Sequence, residues 1–385
     1  MVYTAKSPAT GRTIDIHEKG GRIARIEDAS SSGDASRSGD DLWVAPGLID
    51  IQVNGFAGVD YNSPDTPLDE IARSIQVIKA SGVTRFYPTV ITGSNSNIRG
   101  SLANLARAKR ELAAGPAMPG FHVEGPWISA ADGPRGAHPL EHVRPPTIEE
   151  FHQFQESAEG NIRLITLAPE SAGAVPVIEY LVKQGMVVSI GHTGASPEQV
   201  REAIGAGATM STHLGNGAHA MIQRHPNYII EQMAADELRA GLIADGIHLP
   251  PSFLKVAVRA KGLDRSILVT DAVAPAGCEP GVFRVGHIEV RLSSDNSVRL
   301  TDTGRLAGSA LKMDHGVENL MKFAGVSLEQ ALRMATVNPA AGMGLEGRRG
   351  FLEPGDICDL ILFRYDPERK KINVEQTIRG PLEAG

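Results

Sequence analysis

The sequence predicts an α/β chain: a (β/α)8 TIM-like barrel with a small β-sandwich domain built from both termini. Three observations predict it. Beyond Trp43, apolar strand-like runs alternate with helical patterns, as parallel strands buried on both faces do. Eight such units fall within the ~250 residues typical of a closed barrel rather than an open sheet. The two chain ends lack this rhythm and read as short strands and turns. Glycine, at 42 of 385 residues, runs above the usual ~7%, as many tight strand-to-loop turns require.

In chain order, residues 2–28 read as short strands. Thr13 to His17 alternates polar and apolar, and Gly20-Gly21 turns into Arg22 to Ile26. Residues 30–40, rich in Ser, Gly and Asp, read as an exposed loop. Barrel strands are expected over 45–53, 84–90, 120–124, 162–168, 186–192, 209–214, 239–245 and 266–271. Helices are expected over 68–81, 95–113, 148–157, 197–206 and 251–262. Residues 282–307 break the rhythm and read as hairpins. Helices near 314–323 and 328–335 follow, then a strand-like segment over 352–364 with a turn at Pro354-Gly355. The expected division is 1–45 with 345–385 as the small β-sandwich domain, and 46–344 as the barrel with a hairpin insertion near 282–307.

Composition narrows the function classes. With 42% hydrophobic and 22% charged residues, a chain this long buries a large core unaided. A net charge of −7 leaves no basic footprint for nucleic acid. No apolar run approaches the ~20 residues of a membrane span. The only cysteines, Cys278 and Cys358, make no disulfide framework and no CxxC spacing. The start of the chain lacks a charged, then apolar, leader pattern, and the expected location is cytoplasmic.

In a barrel, chemistry sits at the C-terminal strand ends. Those ends carry Gln52 and Asn54, Thr89, Glu124, His192, His213, Asp245 with His248 close behind, and Asp271, each after an apolar run. Singly, such a His is more often a hydrogen-bonding group and such a Glu half of a salt bridge. Together, Glu124, His192 and His213 suit a catalytic Zn²⁺ or Fe²⁺ with an open position for water. Asp271 in Val269-Thr270-Asp271-Ala272 suits a general base, because a metal lowers the pKa of its water to roughly 7. Its alternatives are a structural carboxylate or another ligand. Gly215-Asn216-Gly217-Ala218-His219-Ala220 matches a dinucleotide fingerprint only superficially, because Pro226 interrupts the helix a pyrophosphate would need.

Ala45-Pro46-Gly47-Leu48-Ile49-Asp50 resembles the first barrel strand of the amidohydrolase superfamily. Phe121-His122-Val123-Glu124-Gly125-Pro126-Trp127, Gly191-His192-Thr193, Thr212-His213-Leu214, Asp245-Gly246-Ile247-His248 and Leu306-Ala307-Gly308-Ser309 resemble the N-acetylglucosamine-6-phosphate deacetylase family over nearly the whole chain. The resemblance implies metal ligands at Glu124, His192 and His213 and a catalytic acid/base at Asp271. His248 would orient or polarise the substrate carbonyl. His138 and Arg224 would hold the phosphate, with Asn216 and the backbone at Gly217 nearby, and part of the phosphate site would come from a neighbouring subunit of a homodimer.

Two departures bear on the expectation. Many amidohydrolases carry His-x-His at the end of the first strand. Here Gln52-Val53-Asn54 offers amides, poor transition-metal ligands, so these are possible vestigial second-metal positions and one divalent ion per chain is expected, Zn²⁺ ahead of Fe²⁺ or Mn²⁺. The family's usual aromatic after His-Leu is Gly215, and His219 and His225 are added. The expected activity is hydrolysis of the acetamido group of an amino-sugar phosphate, N-acetylglucosamine 6-phosphate first. The alternatives are a related hydrolase of another N-acyl sugar or N-acyl amino acid, and a non-catalytic metal-binding barrel.

Overall fold

The computed structural model describes residues 1–29, 41–348 and 350–380; the loop expected at 30–40 lies outside them. In chain order, the first strands are β1 (Val2–Lys6), β2 (Thr13–Lys19), β3 (Arg22–Asp28) and β4 (Leu42–Pro46). The barrel follows: β5 (Leu48–Val53), a short ribbon of β6 (Gly55–Phe56) and β7 (Val59–Asp60), α1 (Leu68–Ala80), β8 (Val83–Ile91), α2 (Asn95–Glu111), β9 (Phe121–Glu124), α3 (Ile148–Ser157), β10 (Ile162–Leu167), α4 (Ala174–Lys183), β11 (Val187–Ile190), α5 (Pro197–Gly205), β12 (Met210–Ser211), α6 (Tyr228–Ala234), β13 (Arg239–Ile243), α7 (Pro251–Lys261) and β14 (Ser266–Val269). A three-stranded insertion, β15 (Gly281–Val285), β16 (Ile288–Leu292) and β17 (Val298–Leu300), precedes α8 (Met313–Asn319), α9 (Leu328–Met334) and α10 (Val337–Gly342). β18 (Leu360–Asp366) and β19 (Lys371–Ile378) end the described chain.

Eight parallel strands run β14-β13-β12-β11-β10-β9-β8-β5. The ring meets itself where Val53 bridges Ala272 in parallel and the Asn54 amide donates to the Ala272 carbonyl at 2.7 Å. The second sheet, β19-β18-β4-β1-β2-β3, draws on both ends of the chain and has its own core of Ala5, Ile16, Ile23, Val44, Leu360 and Leu362. No described helix is long and apolar enough to cross a membrane.

Sequence and structure differ at the join. The single run expected at 45–53 serves two sheets, and it is cut at Gly47. A Cβ there would lie 2.2 Å from Thr84, and the Gly47 amide donates to Asp359 at 2.9 Å. The strand expected over 352–364 begins only at Leu360, after the Pro354-Gly355 turn, and β19 follows it. The helix expected near 314–323 turns π-helical over Leu320–Ala324. Elsewhere the helix starts obey their local chemistry. Ser196 and Gln199 form a capping box on α5, as Ser327 and Gln330 do on α9.

Alternation along the strands divides the core. Ile49, Ile51, Tyr87, Leu164, Ile267 and Val269 form one cluster, while Leu48, Phe86, Val90 and Leu268 join the helices in another. A buried polar belt crosses four strands and the residue that follows a fifth, β12. His122 Nε2 lies 2.7 Å from Thr166 Oγ1 and Thr166 lies 2.6 Å from Thr212, which is 2.6 Å from Ser189; Thr89 Oγ1 is 3.4 Å from His122 Nδ1. Because strand side chains repeat every two residues, His122 stands one layer below Glu124.

The two sheets are joined by a buried ion pair. Arg85 of β8 donates from Nε to Asp359 at 2.9 Å and from Nη2 to its other oxygen at 3.0 Å. Asp359 also accepts the Gly380 amide at 2.7 Å, and Arg348 stands 3.7 Å away. Removing one partner of a buried pair leaves a charge uncompensated, at about 3–5 kcal/mol. Asp359→Ala should therefore lose stability of that order in urea unfolding. A loss under ~1 kcal/mol would mean that solvent reaches the pair.

Candidate active site

Glu124 ends β9, His192 follows β11, His213 follows β12 and Asp271 follows β14. His192, His213 and Asp271 take φ of 50°, 29° and 51°, a left-handed conformation costly for non-glycine residues. The chain accepts that strain where each strand breaks off, and it turns these side chains toward one point.

There, His192 Nε2 and His213 Nε2 lie 3.1 and 3.0 Å from Glu124 Oε1 and 3.0 Å from each other. His192 Nδ1 faces the Pro134 carbonyl at 2.9 Å. A carbonyl only accepts, so Nδ1 carries a proton there, and Nε2 is the nitrogen left to face a cation. Two imidazole nitrogens and a carboxylate oxygen thus converge at 3.0–3.1 Å. Ligands held at ~2.0–2.1 Å around one tetrahedral ion would stand only slightly farther apart. The donor set fits a divalent cation. Burial opposes the charge on Glu124, but its two histidine partners outweigh that and hold it well below the usual carboxylate range. Burial likewise opposes a charged His213, yet Glu124 and Asp271 raise its pKa.

Asp271 stands beside this cluster. Asn54 Nδ2 donates to its Oδ1 at 2.7 Å and Gln52 Nε2 at 3.1 Å; the same Gln52 nitrogen is 3.1 Å from each Glu124 oxygen. The two amides at the end of β5 thus bind carboxylates together. Burial and the charge of Glu124 push the Asp271 carboxyl up to about 6. Behind it, Ser309 ties the loop, donating from its amide to Asp271 O at 2.8 Å and from Oγ to Thr270 O at 2.5 Å.

A cleft opens onto Glu124, His192, His213 and Asp271, with Asn54, His138, Asn216, Gly217 and His248 also lining it. Gly217 lies so close that a Cβ would come 2.7 Å from His192 Nδ1. Buried His138 packs edge-on to His192 with ring centroids 4.3 Å apart, and its Nδ1 is 2.7 Å from Thr92 Oγ1. Burial pushes its pKa down to about 3. Two expected site residues do not line the cleft: Gln52 is buried and bonded to Glu124 and Asp271, and Arg224 is exposed.

Sequence reasoning missed two contributors. The segment around Pro134 and Gly136 buttresses His192, and its only signal was its Gly and Pro content. Val285 and Ile288 of the hairpin insertion form an aliphatic wall with Leu306 and Ala307. Their alternation predicted strands but not what the strands cover.

The amidohydrolase family pattern matches residues 43–380. An N-acetylglucosamine-6-phosphate deacetylase of Vibrio furnissii is 32% identical over 95% of this chain and 89% of its own length. That of Bos taurus is 35% identical over 90% and 87%. The crystal structure of N-acetyl-D-glucosamine-6-phosphate deacetylase from Mycobacterium smegmatis superposes with a TM-score of 0.88 at 30% identity, covering 98% of both chains. A match over most of the sequence, with the acid and two histidines meeting at the strand ends, makes this chain a member of the metal-dependent amidohydrolase family, alongside the N-acetylglucosamine-6-phosphate deacetylases.

Proposed function

We propose that this protein hydrolyses the N-acetyl amide of an amino-sugar phosphate, N-acetylglucosamine 6-phosphate first, to the free amine and acetate. The observation that carries this reading is Asp271, linked through Gln52 to Glu124 and opening on the same cleft as both histidines. Glu124, His192 and His213 would hold one divalent ion per chain, Zn²⁺ ahead of Fe²⁺ or Mn²⁺, which when bound supplies Lewis acidity and a water of lowered pKa. Asp271 accepts the proton of the attacking water. A carbon–oxygen bond forms as the carbon–nitrogen bond breaks, and Asp271 returns the proton to the departing amine. His248 steadies the charge that builds on the carbonyl oxygen.

His138, Asn216 and the backbone amide of Gly217 are the proposed phosphate contacts within one chain. Arg224, on its exposed loop, would serve the neighbouring cleft of a homodimer as Arg224 of the partner subunit. The proposed location is cytoplasmic. We also take residues 1–45 with 345–385 as one domain and 46–344 as the catalytic one.

A second reading, an unphosphorylated N-acyl sugar, is favoured by one observation: among the described residues the cleft is lined by no Lys or Arg. A turnover screen of N-acetylated sugars with and without a 6-phosphate separates the two. Preference for the phosphorylated sugar supports the first reading; turnover of unphosphorylated sugars alone overturns it. Arg224→Ala should weaken a phosphorylated substrate by ~1.5–3 kcal/mol, the worth of a hydrogen bond to a charged group, and leave its unphosphorylated counterpart almost unchanged. Comparing KM for the two substrates checks this. Equal losses would make Arg224 structural.

A further inference from the structure

Asp245 has no part in the chemistry above, yet it is bonded to His248, a group proposed to take part. It and His248 are three residues apart in the turn after β13, with side chains only 8% and 6% exposed. Asp245 Oδ1 accepts the backbone amides of Ile247 and His248, each at 2.8 Å. Its Oδ2 lies 2.6 Å from His248 Nδ1. The turn itself is held from outside: Asn319 Nδ2 of α8 donates to the Ala244 carbonyl at 2.8 Å. Gly246 has φ 77°, and a Cβ there would meet the Phe323 ring at 3.0 Å.

An ionised carboxylate can only accept, so the ring nitrogen facing it must carry the proton. That commits Nδ1 to Asp245 and leaves Nε2 for the cleft that His248 lines. The carboxylate also balances the charge of a second proton at Nε2, so His248 can act there as a charge-assisted donor.

We propose that Asp245 is a positioning residue that fixes a proton of His248 on Nδ1 and turns Nε2 to the substrate, so that the pair supplies a cationic donor to a cleft lined, among the described residues, by no Lys or Arg. The proposal rests on the deacetylase reading of His248, but its first test does not.

Asp245→Asn preserves shape and reverses this logic. The backbone amides of Ile247 and His248 hold the amide oxygen, so Asn Nδ2 must face His248 Nδ1 and donate to it. The ring proton should then move to Nε2. Nitrogen-15 shifts of the histidine rings, in zinc-loaded protein with His248 assigned through His248→Gln, report the tautomer directly. The expected result is a protonated Nδ1 in the parent, alone or with a second proton on Nε2, and a bare Nδ1 with Nε2–H in the Asn variant. The parent result alone is decisive if the variant fails to fold: a bare Nδ1, with the proton on Nε2 alone, overturns the proposal.

In kinetics, Asp245→Asn should lower kcat/KM about ten- to hundred-fold, the worth of a charged hydrogen bond, and cost nothing further in a His248→Gln background. A full additional loss in that background would show that Asp245 acts on something else. If the parent turns over no N-acetyl sugar, the functional reading fails, while the tautomer still decides the Asp245–His248 pair.

Discussion

Asp271→Asn is expected to lower kcat by ~10²–10⁴-fold, the range of general acid–base contributions, with metal content unchanged and KM altered far less. The variant is nearly isosteric. Its amide oxygen can still accept from Asn54 Nδ2 and Gln52 Nε2, the two donors that hold the carboxylate now, so the geometry survives while the basicity is lost. The pH profile gives a second readout. The carboxyl is pushed up to about 6 by burial and by Glu124. It works as a base only when ionised, so the parent rate should fall as pH drops through its pKa. A bound dication nearby pulls that value back down, which places the limb below neutrality without removing it. In the Asn variant the acidic limb should vanish. Loss of metal from the variant would make Asp271 a ligand first. Near-normal turnover would transfer the base role elsewhere, with His248 the nearest candidate in sequence.

The barrel and its acid–histidine set were legible because one physical rule writes both into the sequence. An apolar run buried on both faces that stops at a polar residue is a strand ending at the barrel mouth, and Glu124, His192, His213 and Asp271 all stand at such stops. What the run cannot encode is how the strand ends. The positive φ of His192, His213 and Asp271 is imposed by neighbours far away in sequence, and nothing local to a histidine or aspartate announces it. Contacts between loops were hidden for the same reason: the Pro134 carbonyl reaches His192 across 58 residues. Gln52 and Asn54 were legible as poor ligands. Their work as donors to Glu124 and Asp271 depends on the closure of β5 against β14, which no window of sequence contains. The break at Gly47 was lost because both sheets want the same apolar residues on either side of it.

Glu124→Gln is expected to abolish metal retention and lower turnover by about 10⁴-fold or more, since without the ion the pKa of the attacking water returns from roughly 7 to about 15.7. The amide keeps the volume of the carboxylate but is a poor transition-metal ligand. Glu124 Oε1 lies within 3.1 Å of both histidine Nε2 atoms. Removing its charge therefore weakens the whole set rather than one contact. Elemental analysis should find one divalent ion per parent chain and none retained by the variant after gel filtration. A readout independent of activity is thermal unfolding: an ion that binds only the folded state raises the parent's Tm with concentration, and the variant's Tm should not respond. Two ions per parent chain that survive mild chelation would contradict the reading of Gln52 and Asn54, because both amides would then have to be ligands instead of donors. A variant that holds its ion as tightly as the parent would move the site away from Glu124 altogether, since no other carboxylate oxygen lies within hydrogen-bonding distance of the two imidazoles among the described contacts.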